Sequence, residues 1–188
     1  MLKQCALAIA VTFPVVSTGA YASSELNLAL SSDIASIDYA RTNSDRGSQW
    51  SFGALYNDPN NASQAFVSFN VIGESQSASG LQTGLGLKLV VHDTFQTAGS
   101  LALGGKVRYA PEAWSGLGLE GGAYFAPSML NTNDAEQYVE VLARVTYSVN
   151  PQARFFIGLQ SINIKYDEAI VSKVEMDKGA NIGFTLTF

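Results

Sequence analysis

A closed, antiparallel, membrane-spanning β-barrel is the fold class these 188 residues predict, on three observations. The last ten residues, Gly179 to Phe188, alternate strictly. Ala180, Ile182, Phe184, Leu186 and Phe188 are apolar, whereas Asn181, Gly183, Thr185 and Thr187 are small or polar. That two-residue period places an oily row on one face of a strand and a polar row on the other. Second, 47% of the residues are hydrophobic and only 14% are charged, which is oily for an exported soluble domain. A barrel accommodates this composition by turning apolar side chains to lipid while pairing every backbone group. Third, a secretory leader opens the chain, and no later segment is long and apolar enough for a transmembrane helix.

The leader occupies residues 1–22. Lys3 supplies its positive charge, Cys5 to Val16 form a mostly apolar run broken by Pro14, and Ala20-Tyr21-Ala22 is a small-x-small cleavage signal. The apolar run is shorter than the roughly 20 residues a spanning helix needs. Cleavage after Ala22 leaves a single domain, residues 23–188, without cysteine, because Cys5 is the only one. Losing Lys3 leaves 10 basic against 16 acidic residues. Such a chain is a poor partner for nucleic acid, whose phosphates must be neutralised by Lys and Arg.

Alternation then recurs along the chain. The outward rows are predicted as Leu26-Leu28-Leu30, Trp50-Phe52-Ala54-Tyr56, Val67-Phe69-Val71 and Leu81 to Val91 by twos. They continue as Leu101 to Tyr109, Leu117 to Phe125 and Val139 to Val149, again by twos. Each run approaches the 9–11 residues of a tilted spanning strand, and none shows a helical period. Two places break phase. Near Ser31-Ser32-Asp33 the chain forms either a tight turn or a bulge within one long strand. In Ala153–Tyr166 the oily row begins as Phe155, Ile157, Leu159 and resumes as Ile162, Ile164, Tyr166, which calls for a bulge near Gln160-Ser161.

Parity sets the strand number. Short turns normally face the periplasm and longer loops face outward. With Phe188 on the periplasmic side, Asn150-Pro151-Gln152 and Pro111–Gly116 fall there too, while Asp93–Ala98, Pro127–Glu136 and Asp167–Asp177 fall outside. Nine strands follow from Ala35 onward, and an even total adds Glu25–Ser31, so ten strands are expected, with eight as the alternative. Two aromatic girdles are expected: Tyr39, Trp50, Tyr109, Trp114, Tyr147, Phe155 and Phe188 at one rim, and Tyr56, Phe66, Phe125, Tyr138 and Tyr166 at the other.

From Gly104 onward the residues resemble the YfaZ family of small outer-membrane proteins of Gram-negative bacteria. The resemblance lies in Gly104-Gly105-Lys106 with Tyr109, Tyr124-Phe125-Ala126-Pro127-Ser128, Glu136 to Glu140, Ala143-Arg144-Val145-Thr146-Tyr147, Pro151 and Gly158. It covers the last 85 residues well and the first half only in pattern. It implies an outer-membrane barrel without established activity or agreed functional residues. A barrel ending on Phe184, Leu186 and Phe188 also resembles those whose last strand is read by the barrel assembly machinery.

The chemistry-bearing residues fall on the inward rows: Lys88, Lys106, Arg108, Glu120, Glu140 and Arg144, with Arg154 as a further candidate. Arg108 lies about opposite Glu120 across the turn at Ala113-Trp114, within reach of a cross-strand pair. A barrel of this size is about filled by its own side chains, so the expected role of these groups is a charge-paired plug. The alternative is a narrow path for small solutes lined by basic groups. A second alternative is a lipid-modifying enzyme using His92, the only histidine, beside Asp93. On a persistent strand those two side chains point to opposite faces, so His92 is expected as a solvated loop residue. The acidic residues Asp134, Glu136, Asp167, Glu168, Glu175 and Asp177 have no tight ligand spacing and are read as solvating charge on outer loops. No cofactor, metal or catalytic residue is expected. The chain reads as a monomeric, structural or interaction protein of the bacterial outer membrane, its loops meeting lipopolysaccharide.

Overall fold

The computed structural model describes residues 22–57, 64–93, 97–133, 135–166 and 173–188. The predicted leader, apart from Ala22, therefore lies outside the described residues, as do Asp134, Asp167 and Glu168. Ten antiparallel strands close into a barrel in chain order. They are β1 (Ala22–Leu30), β2 (Ile34–Asn43), β3 (Ser48–Asn57), β4 (Gln64–Gln76) and β5 (Leu81–Asp93). β6 (Thr97–Tyr109), β7 (Leu117–Ala126), β8 (Ala135–Asn150), β9 (Ala153–Tyr166) and β10 (Lys173–Thr187) complete the wall. Ten strands, not eight, is the outcome. Ser31 to Asp33 is a turn, held by the Ser31 N–H donating to the Ile34 carbonyl at 2.9 Å.

The alternating carboxy-terminal segment supplies the closing seam. β1 pairs with β10 from Glu25↔Thr187 to Leu30↔Ile182. Reciprocal backbone bonds of 2.8 and 2.9 Å between Ser24 and Phe188 finish it. One end of the barrel thus carries Phe188, the start of β1 and the short connections at 44–47, 77–80, 110–116 and 151–152. We call it the terminal end and the opposite one the far end. At the terminal end Gly80 adopts φ +80°, which a side chain would resist, and closes the turn between β4 and β5.

The outer surface is a continuous apolar wall. Leu85, Leu87, Leu89, Leu103, Leu119, Val141, Ile157 and Leu159 all stand exposed, Leu85 at 78%. A soluble monomer rarely shows a contiguous apolar patch beyond a few hundred Å², so hydrocarbon is the solvent this wall fits. Near the terminal end Tyr39 contacts Trp50 and Tyr109 contacts Trp114, with ring centroids 5.7 and 5.2 Å apart.

Several expectations are corrected. β9 pairs with β8 without a shift at Gln160-Ser161; the irregularities fall between Ser148 and Asn150, between Ala135 and Gln137, and between Glu175 and Asp177. β9 keeps its phase, so Ile162, Ile164 and Tyr166 point inward and are buried. Phe66 and Tyr138 are buried as well, which removes three of five members from the far-end girdle and leaves Tyr56 and Phe125 facing out. The physical reason is parity: Phe66 and Tyr138 each stand an even number of residues from the inward Asn70 and Glu140. β10 begins at Lys173, so Glu175 and Asp177 belong to a strand, as does Glu136 in β8, and the last outer connection is shorter than expected.

Candidate functional site

The lumen divides along its axis. Towards the far end the inward side chains are apolar: Leu55, Phe66, Val90, Tyr138, Ile162, Ile164 and Tyr166 form one buried cluster with Ala98, Ala102, Ala126 and Ala135. Among the described residues at this end, two aromatic contacts cross the lumen. Phe66 of β4 stacks against Tyr138 of β8 at 6.3 Å. Tyr166 of β9 brings its hydroxyl within 3.3 Å of His92 Nδ1 on β5. The segment after β7 folds against β6, with Thr132 N–H donating to the Gly99 carbonyl at 2.9 Å and Asn133 Nδ2 to that of Thr97 at 2.9 Å.

His92 is therefore no solvated loop residue. β5 runs to Asp93, and His92 is fully buried among apolar neighbours, with Nε2 lacking a hydrogen-bond partner. Asp93 lies exposed on the opposite face and accepts from Thr97 Oγ1 at 3.1 Å. The two do not assemble a base and its orienting carboxylate.

From the middle of the barrel to the terminal end the lumen is polar and holds a cavity of about 410 Å³. All six sequence-predicted lumen residues line it, together with Arg154. Lys88 Nζ donates to Glu140 Oε2 at 2.6 Å, and Tyr138 donates its hydroxyl to the same oxygen at 2.6 Å. Lys88 also lies 5.4 and 5.2 Å from the ring centres of Phe66 and Tyr124, so the ammonium sits where the polar and apolar halves meet. Arg108 and Glu120 are direct register partners, with Nε and Oε1 3.2 Å apart. Arg154 Nε approaches the same Glu120 oxygen at 3.4 Å, and its Nη2 lies 3.7 Å from Glu25 Oε2. Lys106 reaches across to Glu74 at 2.6 Å and to Gln49 Oε1 at 2.5 Å. Arg144 alone of the six has no ion pair among the described residues; its guanidinium lies 4.2 Å over the Phe156 ring.

Glu25, Asp38 and Glu74 are lumen acids that the sequence reading did not single out. The same parity would have found them: Glu25 shares its row with Asn27, Asp38 with Ser36 and Ala40, and Glu74 with Ser68, Asn70 and Ile72. With them the cavity wall carries five acids and five bases, so it is neutral rather than basic. Among the described residues no group of three or more His, Cys, Asp and Glu could hold a metal ion.

A family model, described as YfaZ precursor, matches residues 2–188. The chain belongs to the YfaZ family. The match extends the resemblance from the second half to nearly the whole sequence, and the word precursor accords with a removable leader. None of the curated proteins and none of the solved structures matches this YfaZ chain. The family and the ten-stranded wall are both consistent with an outer-membrane barrel; they carry no activity.

Proposed function

We infer that this YfaZ barrel is an integral protein of the bacterial outer membrane, matured by loss of residues 1–22, whose lumen is sealed and whose role is structural or interaction-based rather than catalytic. The observation that carries the reading is the packing of the far half: Phe66 against Tyr138 and Tyr166 against His92, drawn from facing strands and buried across the lumen. In this reading the terminal end, which carries most of the short connections, faces the periplasm and the far end faces outside. There the outer connections meet lipopolysaccharide. The barrel assembly machinery reads the last strand through Phe184, Leu186 and Phe188. The protein works as a monomer, without cofactor, metal or nucleic acid.

Planar-bilayer recording on protein extracted from carbonate-washed envelopes tests this. The expected result is retention in the washed membranes and no unitary conductance steps. Reproducible steps would overturn the seal, and release by carbonate would overturn the membrane placement.

A further inference from the structure

The polar half of the lumen is a pocket with a floor. Its described lining residues run from the terminal end, at Ser23, Ser44, Gly47 and Gln76, to Leu55, Phe66 and Ile162, where the apolar cluster stops it. At about 410 Å³ it has the size of a small-molecule site, which spans roughly 300–1,000 Å³.

Most of its charges are already matched. Lys88 holds Glu140, Lys106 holds Glu74, and Arg108 and Arg154 share Glu120, with Arg154 also near Glu25. Two remain: Asp38 and Arg144 have no ion pair among the described residues, and they are of opposite sign. They stand on facing walls, β2 and β8, and line the same cavity, where Lys88 and Glu140 also act on Asp38 and Glu120 also acts on Arg144.

Each is held in place by its surroundings. Asp38 lies across the strand from Gly53; a Cβ there would come within 2.8 Å of Ser68 Oγ and collide with the Asp38 carboxylate. Arg144 is stacked on Phe156, and Gly158 opposite leaves room for its stem, since a Cβ there would meet Arg144 Cγ at 2.5 Å. Between these walls stands Asn70, only 9% exposed. Its Nδ2 donates to the Tyr124 hydroxyl at 2.8 Å, and its Oδ1 lacks a partner. At the cavity wall this oxygen is free to accept a hydrogen bond from a molecule in the cavity.

We propose that this cavity binds a small zwitterion entering from the terminal end, its carboxylate on Arg144 and its ammonium on Asp38, with Asn70 Oδ1 as a further acceptor. A plain anion matched to Arg144 would meet the Asp38 carboxylate, and a plain cation matched to Asp38 would meet the Arg144 guanidinium. A molecule carrying both charges satisfies both walls and adds no net charge to a neutral site. A free amino acid or a dipeptide has this chemistry. The site requires the floor but not a membrane role, so its test is separate from that of the sealed barrel.

Three probes of similar size distinguish the classes in ligand-observed NMR on the detergent-extracted protein: glycylglycine, the anion N-acetylglycine and the cation glycinamide. Glycylglycine is expected to bind saturably, and each blocked probe at least about tenfold more weakly. Asp38→Asn should erase the discrimination against N-acetylglycine, and Arg144→Gln that against glycinamide, with unaltered heat-dependent gel migration of both variants. Absence of saturable glycylglycine binding up to about 50 mM, equal affinity for the three probes, or discrimination unchanged in both variants would overturn the proposal. Should a variant fail to fold, the three-probe comparison on the unsubstituted protein decides alone.

Discussion

The two halves of the lumen are lined by the same ten strands at the same alternation, yet they are filled in opposite ways. The far half is dry: Ile162, Ile164, Tyr138 and Val90 are fully buried, and packing dominates, with the Tyr166 hydroxyl at His92 Nδ1 as a polar contact within it. The terminal half is wet, holds a cavity, and is laced by ion pairs whose members keep 9–39% of their side-chain surface. A barrel of this size need not choose one filling for its whole length. Apolar side chains close one half, and charges line the other, most of them matched, with Asp38 and Arg144 left without an ion pair among the described residues.

The largest expected effect lies at the border. Glu140→Ala would strip Lys88 Nζ and the Tyr138 hydroxyl of their common acceptor and leave an ammonium among the Phe66 and Tyr124 rings. Breaking a buried pair in this way costs about 3–5 kcal/mol, read as a lower urea midpoint in detergent micelles. A loss no greater than that of a surface substitution would show that the border is wet.

Next comes the dry half. Ile164→Ala should cost about 2–5 kcal/mol in the same assay, because the packed cluster closes only partly over the space left. In the wet half Glu120→Ala should cost less, about 1–3 kcal/mol, since Arg108 and Arg154 lose an ion-pair partner but keep access to the cavity. If Glu120→Ala proved as damaging as Ile164→Ala, the contrast between the halves would fail. Smallest is Lys178→Ala, which removes an exposed i,i+3 pair with Glu175 at 3.5 Å and should stay below about 1 kcal/mol.

Much of the wall could be read beforehand because the strand period is two and lipid solvates one face. That rule placed Lys88, Lys106, Arg108, Glu120, Glu140 and Arg144 inside, and it set Arg108 opposite Glu120. Residue type alone puts Tyr138 and Phe66 in an aromatic girdle, but their own rows point inward. In β9 the inward row changes from Phe156, Gly158 and Gln160 to Ile162 and Ile164, and that change of chemistry mimics a change of phase. A lumen that is polar at one end and apolar at the other produces this signal without any bulge.

Local order along the chain therefore determined the strands, their number, the face each side chain takes and the partners of adjacent strands, because each depends on a neighbour one hairpin away. Closure alone decided the rest. Lys88 meets Glu140 three strands on, Lys106 meets Glu74 two strands back, and Phe66 meets Tyr138. Those distances follow from the curvature and stagger of a completed cylinder, a property that no hairpin possesses by itself.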